Sequence, residues 1–160
     1  MPSLLEQLRK YSTVVADTGD LSAIKRFSPE DATTNPSLIL KAVQSGQYDV
    51  LVKDVCSVAR CHQGPLDEKV DEACDRLVVA MGQVILESVP GRISTEVNAR
   101  LSFDKQASLI KARRLVDLYE EKGISRNRVL IKLAATWEGI GAAAVLESEG
   151  IQCNLTLVSG

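Results

Sequence analysis

Three ionisable side chains fall in or at the ends of short β-branched or aliphatic segments. Asp17 follows Val14-Val15-Ala16, Glu96 follows Ile93-Ser94-Thr95, and Lys132 lies within Val129-Leu130-Ile131-Lys132-Leu133. Charged groups are seldom set into such segments without a partner or a task. Lys132 has aliphatic neighbours on both sides, and desolvation favours the neutral amine that carbonyl attack requires, so the position suits Schiff-base formation. The plainer reading is a lysine on a polar face, or one paired with Glu96 in a salt bridge. Asp17 can equally be a turn or cap residue and Glu96 a solvated carboxylate. Together the three supply a nucleophile and two proton-transfer groups, the set that carbon–carbon bond chemistry through an imine needs.

The elements that would position them can be read along the chain. Ser3 and Glu6 form a capping-box pair opening a short helix through Leu4, Leu5 and Leu8. Thr13 to Ala16 reads as a strand, and Asp20 caps a helix through Leu21, Ile24 and Phe27. Asp31 to Thr34 reads as a second strand, followed by turn chemistry at Asn35-Pro36 and helices from Leu38, from about Tyr48 to Ala59, and from Val70 to Leu86. Arg92 to Val97 is a third strand, and Asp104 caps the helix that Lys122-Gly123 ends. Arg128 to Leu133 is a fourth strand, Trp137 to Leu146 a helix, and Ile151 to Leu157 a fifth strand. Strands alternating with helices imply right-handed βαβ units and a parallel sheet, whose carboxyl ends carry the active site in α/β folds.

Composition sets the outer limits. The chain has 160 residues, 45% hydrophobic and 25% charged, with a formal net charge of −2. That pattern excludes disorder and gives no basic footprint, so nucleic acid is not an expected partner. The first residues lack the apolar run of a signal peptide and no stretch is long enough to span a membrane, so a soluble, cytoplasmic protein is expected. Cys56, Cys61, Cys74 and Cys153 form no CxxC pair, and Cys61-His62 beside Cys56 fits no common zinc spacing. No metal is expected, and the cysteines read as free, half-buried thiols.

Several segments together resemble the transaldolase family: Val14-Val15-Ala16-Asp17-Thr18-Gly19-Asp20, Asp31-Ala32-Thr33-Thr34-Asn35-Pro36-Ser37-Leu38, Gly91-Arg92-Ile93-Ser94-Thr95-Glu96-Val97, Ala99-Arg100-Leu101-Ser102-Phe103-Asp104, Ile131-Lys132-Leu133 with Thr136-Trp137-Glu138-Gly139, and Cys153-Asn154-Leu155-Thr156-Leu157. The resemblance implies an α/β (β/α)8 TIM-type barrel of the class I aldolase superfamily, needing no cofactor. It implies transfer of a dihydroxyacetone unit from a ketose phosphate, such as sedoheptulose 7-phosphate, to an aldose phosphate, such as glyceraldehyde 3-phosphate, within the pentose phosphate pathway. By the same resemblance Lys132 matches the Schiff-base lysine and Asp17 the group that moves the hydroxyl proton where the bond breaks. Glu96 matches the carboxylate that works with Thr156 and a water on the carbinolamine. Asn35 and Asn154 match residues that hold the dihydroxyacetone moiety, with Ser94 and Thr33 nearby. A homodimer is a candidate assembly.

Two departures stand out. Asn98 occupies a position where the family usually has Asp, and little effect is expected. The family continues through three more strands, whereas here the sequence diverges at Val158-Ser159-Gly160. An eight-stranded barrel needs about 250 residues. The expectation is one incomplete barrel domain over 1–160: an N-terminal helix within 1–11, five β/α units over 12–157 and a divergent tail over 158–160. It is expected to fold poorly, to be weakly active or inactive alone, and to expose two sheet edges through which a truncated, inactive fragment could pair with other chains.

Overall fold

The computed structural model describes residues 2–158; Met1 and the Ser159-Gly160 end of the divergent tail lie outside the described residues. The turn and cap chemistry sets most element starts. Ser3 and Glu6 bond reciprocally at the start of α1 (Leu4–Leu8). After β1 (Val15–Asp17), the Asp20 carboxylate accepts from Ser22 and Ala23 N–H and opens α2 (Leu21–Phe27). After β2 (Asp31–Thr33), Asn35 caps α3 (Pro36–Gln44), with Pro36 in the first turn, where its missing N–H costs nothing. Helices α4 (Asp49–Arg60) and α5 (Leu66–Leu86) complete this long crossover to β3 (Ile93–Glu96). Asp104 caps α6 (Lys105–Glu121), β4 spans Val129–Ala134, and Thr136 caps α7 (Trp137–Ser148) before β5 (Cys153–Thr156).

All four strand pairings are parallel and the order is β1-β2-β3-β4-β5. A doubly wound sheet reverses its strand order at a switch point, whereas a barrel never does. The unbroken order therefore belongs to a singly wound sheet with its helices on one side, here a curled half-barrel.

Register and the two-residue pleat divide the sheet into two faces. Ala32, Ile93, Thr95, Val129, Ile131 and Leu133 are buried and face the helices. All but Thr95 pack in one core with Val79 and Ile85 of α5, Leu115, Val116 and Tyr119 of α6, and Ala142 and Leu146 of α7. Each fully buried large aliphatic contributes about 1.5–3 kcal/mol. The opposite face, the lumen side, is drier at β3 than at its margins: Ser94 is buried, Leu130, Lys132, Ala134, Asn154 and Thr156 are half-buried, and Asp17 is exposed.

The lower rim, at the strands' amino ends, is tied by polar contacts. The Asp31 carboxylate accepts from the Arg92 backbone N–H at 2.7 Å and lies 3.4 Å from its guanidinium, which also donates to Gln152 at 3.0 Å. Arg128 donates to the carbonyls of Gly91 and, at 2.9 Å, Val89. Gly91 is required here, because a Cβ would overlap the Asp31 carboxylate and the Glu30 carbonyl. Structural ties at this end and chemistry at the other are the division of labour expected of such barrels.

No helix of the described residues is long and apolar enough to cross a membrane. Cys56 and Cys153 are half-buried as expected, but Cys61 and Cys74 are exposed.

Candidate active site

Strand register brings the predicted residues onto one surface. Residues paired across a parallel ladder point to the same face, as do residues two apart on a strand. Asp17 is aligned with Thr33, and Thr33 with Ser94. Two residues further up β3, Glu96 is aligned with Lys132, Lys132 with Asn154, and one step above that Ala134 with Thr156. Asp17, Thr33, Ser94, Glu96, Lys132, Asn154 and Thr156 thus all face the lumen, in three rows near the strands' carboxyl ends.

The contacts are closest in the centre. Lys132 Nζ lies 3.3 Å from Glu96 Oε2, with side-chain exposures of 11% and 18%, and 3.5 Å from the Thr34 carbonyl oxygen. Asn154 Nδ2 donates to Ser94 Oγ at 3.1 Å, and its amide oxygen makes no protein hydrogen bond among the described residues. The Thr33 hydroxyl is buried with no hydrogen-bond partner among the described residues. Buried polar atoms are nearly always partnered, so an orphan beside a cluster of polar lumen groups suits a bound hydroxyl. Asn35 stands half-buried at the head of α3, where its Oδ1 already accepts from Leu38 N–H at 2.9 Å. Its NH2 and the second lone pair of its Oδ1 remain for another group.

Two residues are not drawn into that centre by direct contact. The Asp17 side chain makes no hydrogen bond or ion pair to a described residue, and β2 and β3 intervene between it and Lys132. Thr156 joins the frame through its backbone, its carbonyl accepting from Ala135 N–H at 2.8 Å, while its hydroxyl makes no such bond among the described residues.

The surroundings of Lys132 differ from those its sequence neighbours suggest. Ile131 and Leu133 are buried against the helices on the opposite face, because adjacent residues on a strand point apart. The amine instead meets Glu96 and a carbonyl, so the salt-bridge reading of Lys132 is the observed arrangement and aliphatic desolvation by its neighbours is not. Sequence reasoning also missed the Thr34 carbonyl, a backbone acceptor with no residue-type signal. It missed the support behind β3 as well. Thr95 points outward between Ser94 and Glu96, and its hydroxyl is 2.6 Å from Tyr119 Oη, both residues fully buried. Burial holds the Tyr119 phenol well above its usual range, so it stays neutral. Asn98 accepts from Arg100 N–H at 3.0 Å and caps the 3-10 turn Ala99–Leu101, a task that needs only a side-chain oxygen.

A singly wound parallel β/α half-barrel with an amine, two carboxylates and a set of amides and hydroxyls along its lumen face defines a lysine-centred barrel. The sequence model of the Transaldolase/Fructose-6-phosphate aldolase family matches residues 14–159, and the chain belongs to that family. Over 158 residues, 99% of this chain, it is 58% identical to the transaldolase of Shewanella sp. (strain MR-4) and 59% identical to that of Shewanella sp. (strain W3-18-1). The transaldolase of Shewanella oneidensis is 58% identical over the same length. Each match covers 50% of the relative, so the chain spans about half the length of the curated relatives it matches.

Proposed function

We propose that this chain carries the imine-forming part of a transaldolase, which moves a dihydroxyacetone unit from sedoheptulose 7-phosphate to glyceraldehyde 3-phosphate. The observation that carries the reading is the Lys132–Glu96 pair on the lumen face, flanked by Asn154 and Ser94. In this reading the Lys132 amine attacks the ketose carbonyl. Glu96, with Thr156 and a water, shuttles the protons by which the carbinolamine loses water to give the imine. Asp17 takes the proton from the hydroxyl next to the scissile carbon–carbon bond. That bond then breaks, an aldose phosphate leaves, and the imine accepts the electron pair. Addition to the acceptor aldehyde and return of the proton reverse these steps. Thr33, Asn35 and Asn154 hold the hydroxyls of the three-carbon unit, which amides suit because they both donate and accept.

Asp17 and Lys132 sit three strands apart, about 14 Å along a flat sheet at about 4.8 Å per strand. A three-carbon unit is much shorter than that, so the reading requires the curl of the barrel to bring Asp17 across the lumen.

Borohydride reduction in the presence of the ketose phosphate tests the proposal. A stable adduct on the Lys132 peptide, absent in Lys132→Met, is the expected result, and an unlabelled wild-type protein would refute it. The family description also covers fructose-6-phosphate aldolase. Transfer to glyceraldehyde 3-phosphate supports the transaldolase reading, whereas release of free dihydroxyacetone supports an aldolase.

A second reading rests on the sheet edges. Among the described residues β1 pairs only with β2 and β5 only with β4, leaving two parallel edges unmatched. An inactive fragment that associates with other chains along those edges fits this feature. Light scattering that rises with protein concentration, without labelling of Lys132, would favour it.

A further inference from the structure

A cavity of about 300 Å³ lies between α3, α5 and α6 and shares Asn35 and Glu96 with the lysine-centred site. Its walls are Ile39 and Val43 of α3, Leu77 and Val78 of α5, and Leu115 of α6. Sugar phosphates are made of hydroxyls and anionic oxygens, and aliphatic walls offer them nothing in exchange for lost water. The polar groups at the α5 side deepen the mismatch. Asp71 and Asp75 line the cavity, with Lys111 the one cation among the described residues that line it, and Lys111 is engaged by Asp75 at 2.7 Å. Burial pushes the Asp75 carboxyl up despite Lys111, and the neighbouring Asp71 and Glu72 charges add to the rise. The Cys74 thiol beside it is raised by burial and then by Asp75 and Asp71. In both, burial is the larger cause, and the neighbouring carboxylates add a smaller electrostatic part that favours positive charge. Asp71 is exposed, and its carboxylate makes no ion pair with a described residue.

We propose that this cavity is a second binding site, adjoining the sugar-phosphate site at Asn35 and Glu96, for a small amine on a compact apolar body. The apolar part lies among Val43, Leu77, Val78 and Leu115, and the ammonium faces Asp71. A volume near 300 Å³ is at the lower end for small-molecule sites, which limits the ligand to about one ring with a short side chain. Because Glu96 lines both spaces, the site adjoins the proposed imine chemistry but does not depend on it.

The probe is 4-fluorobenzylamine, followed by fluorine NMR line broadening on the whole chain, with 4-fluorobenzyl alcohol and 4-fluorobenzoate as matched neutral and anionic controls. Saturable binding in the order amine, alcohol, carboxylate is expected. Asp71→Asn should weaken the amine about two- to fivefold, the range of a partly exposed ion pair, and leave the alcohol unchanged. Val43→Trp should abolish binding of all three. Should that variant lose its far-UV spectrum, Leu40→Trp at the exposed rim takes its place and should give the same loss. Absence of saturable binding to the wild-type chain would overturn the proposal. So would carboxylate binding as tight as amine binding, or binding unchanged by the filling variant. Labelling of Lys132 by borohydride is read separately, so its failure would leave the amine result intact.

Discussion

Replacing Tyr119 with phenylalanine removes one hydroxyl from the wall between α6 and β3. The perturbation is confined because Tyr119 and Thr95 are both at 0% exposure and bond each other at 2.6 Å. The ring is retained, so the cost comes from the Thr95 hydroxyl left without a partner where no water reaches it, about 1–3 kcal/mol. At a urea m-value of about 2 kcal/mol/M, the midpoint should fall by roughly 0.5–1.5 M with m unchanged. Thr95→Val should cost a similar amount for the same reason. The double variant removes both hydroxyls and should lose clearly less than the two single losses combined, with a coupling of about 1 kcal/mol or more. Gly82 supplies an internal check, since a Cβ there would overlap Tyr119 Oη. Gly82→Ala should therefore cost less in the Tyr119→Phe background than in the wild type. Additive losses for Tyr119→Phe and Thr95→Val, within about 0.3 kcal/mol, would refute the pairing and with it the argument that α6 braces the strand carrying Ser94 and Glu96.

At the other rim, Gly91→Ala should destabilise by about 1–3 kcal/mol, read as a fall in Tm, because its methyl group must displace Asp31 or backbone. Burial raises both the Tyr119 and the Tyr48 phenols, Tyr48 also through Asp20. Their contribution to stability is complete below the unfolded value near pH 10 and is lost as pH rises through their higher folded values, so alkaline denaturation should set in above about pH 10. Spectrophotometric titration should then show the Tyr48 and Tyr119 phenols ionising only as the chain unfolds. The Cys153 thiol is pushed up to about 12 by burial and the Glu147 carboxylate. Iodoacetamide mapped by mass spectrometry at pH 8 should label exposed Cys61 well before Cys153, and the reverse order would contradict the burial assigned to β5.

Local signals were enough to place the elements. Asp20, Asp104 and the Ser3/Glu6 pair start helices where their side-chain oxygens meet free N–H groups, and those bonds involve neighbours within three residues. The alternation of strands and helices was equally readable, as was the candidate chemistry of Asp17, Glu96 and Lys132, because a charge inside an aliphatic strand is conspicuous in one dimension. The limits of the strands shifted by a residue or two, since pairing with a distant strand decides where a ladder stops.

What no stretch of sequence could decide was which groups meet. Glu96 and Lys132 are 36 positions apart and touch because parallel register aligns them, while Ser94 and Asn154, 60 apart and separated by β4, meet across the lumen face. The sequence put Lys132 among aliphatics, but the pleat turned Ile131 and Leu133 to the helices and left the amine to Glu96 and the Thr34 carbonyl. Thr95 looked like one more strand residue until α6 brought Tyr119 behind it. Residue types and spacing determined the family, the element order and the available chemistry. Register, pleat and helix packing, which depend on contacts between remote segments, decided the partners of each group.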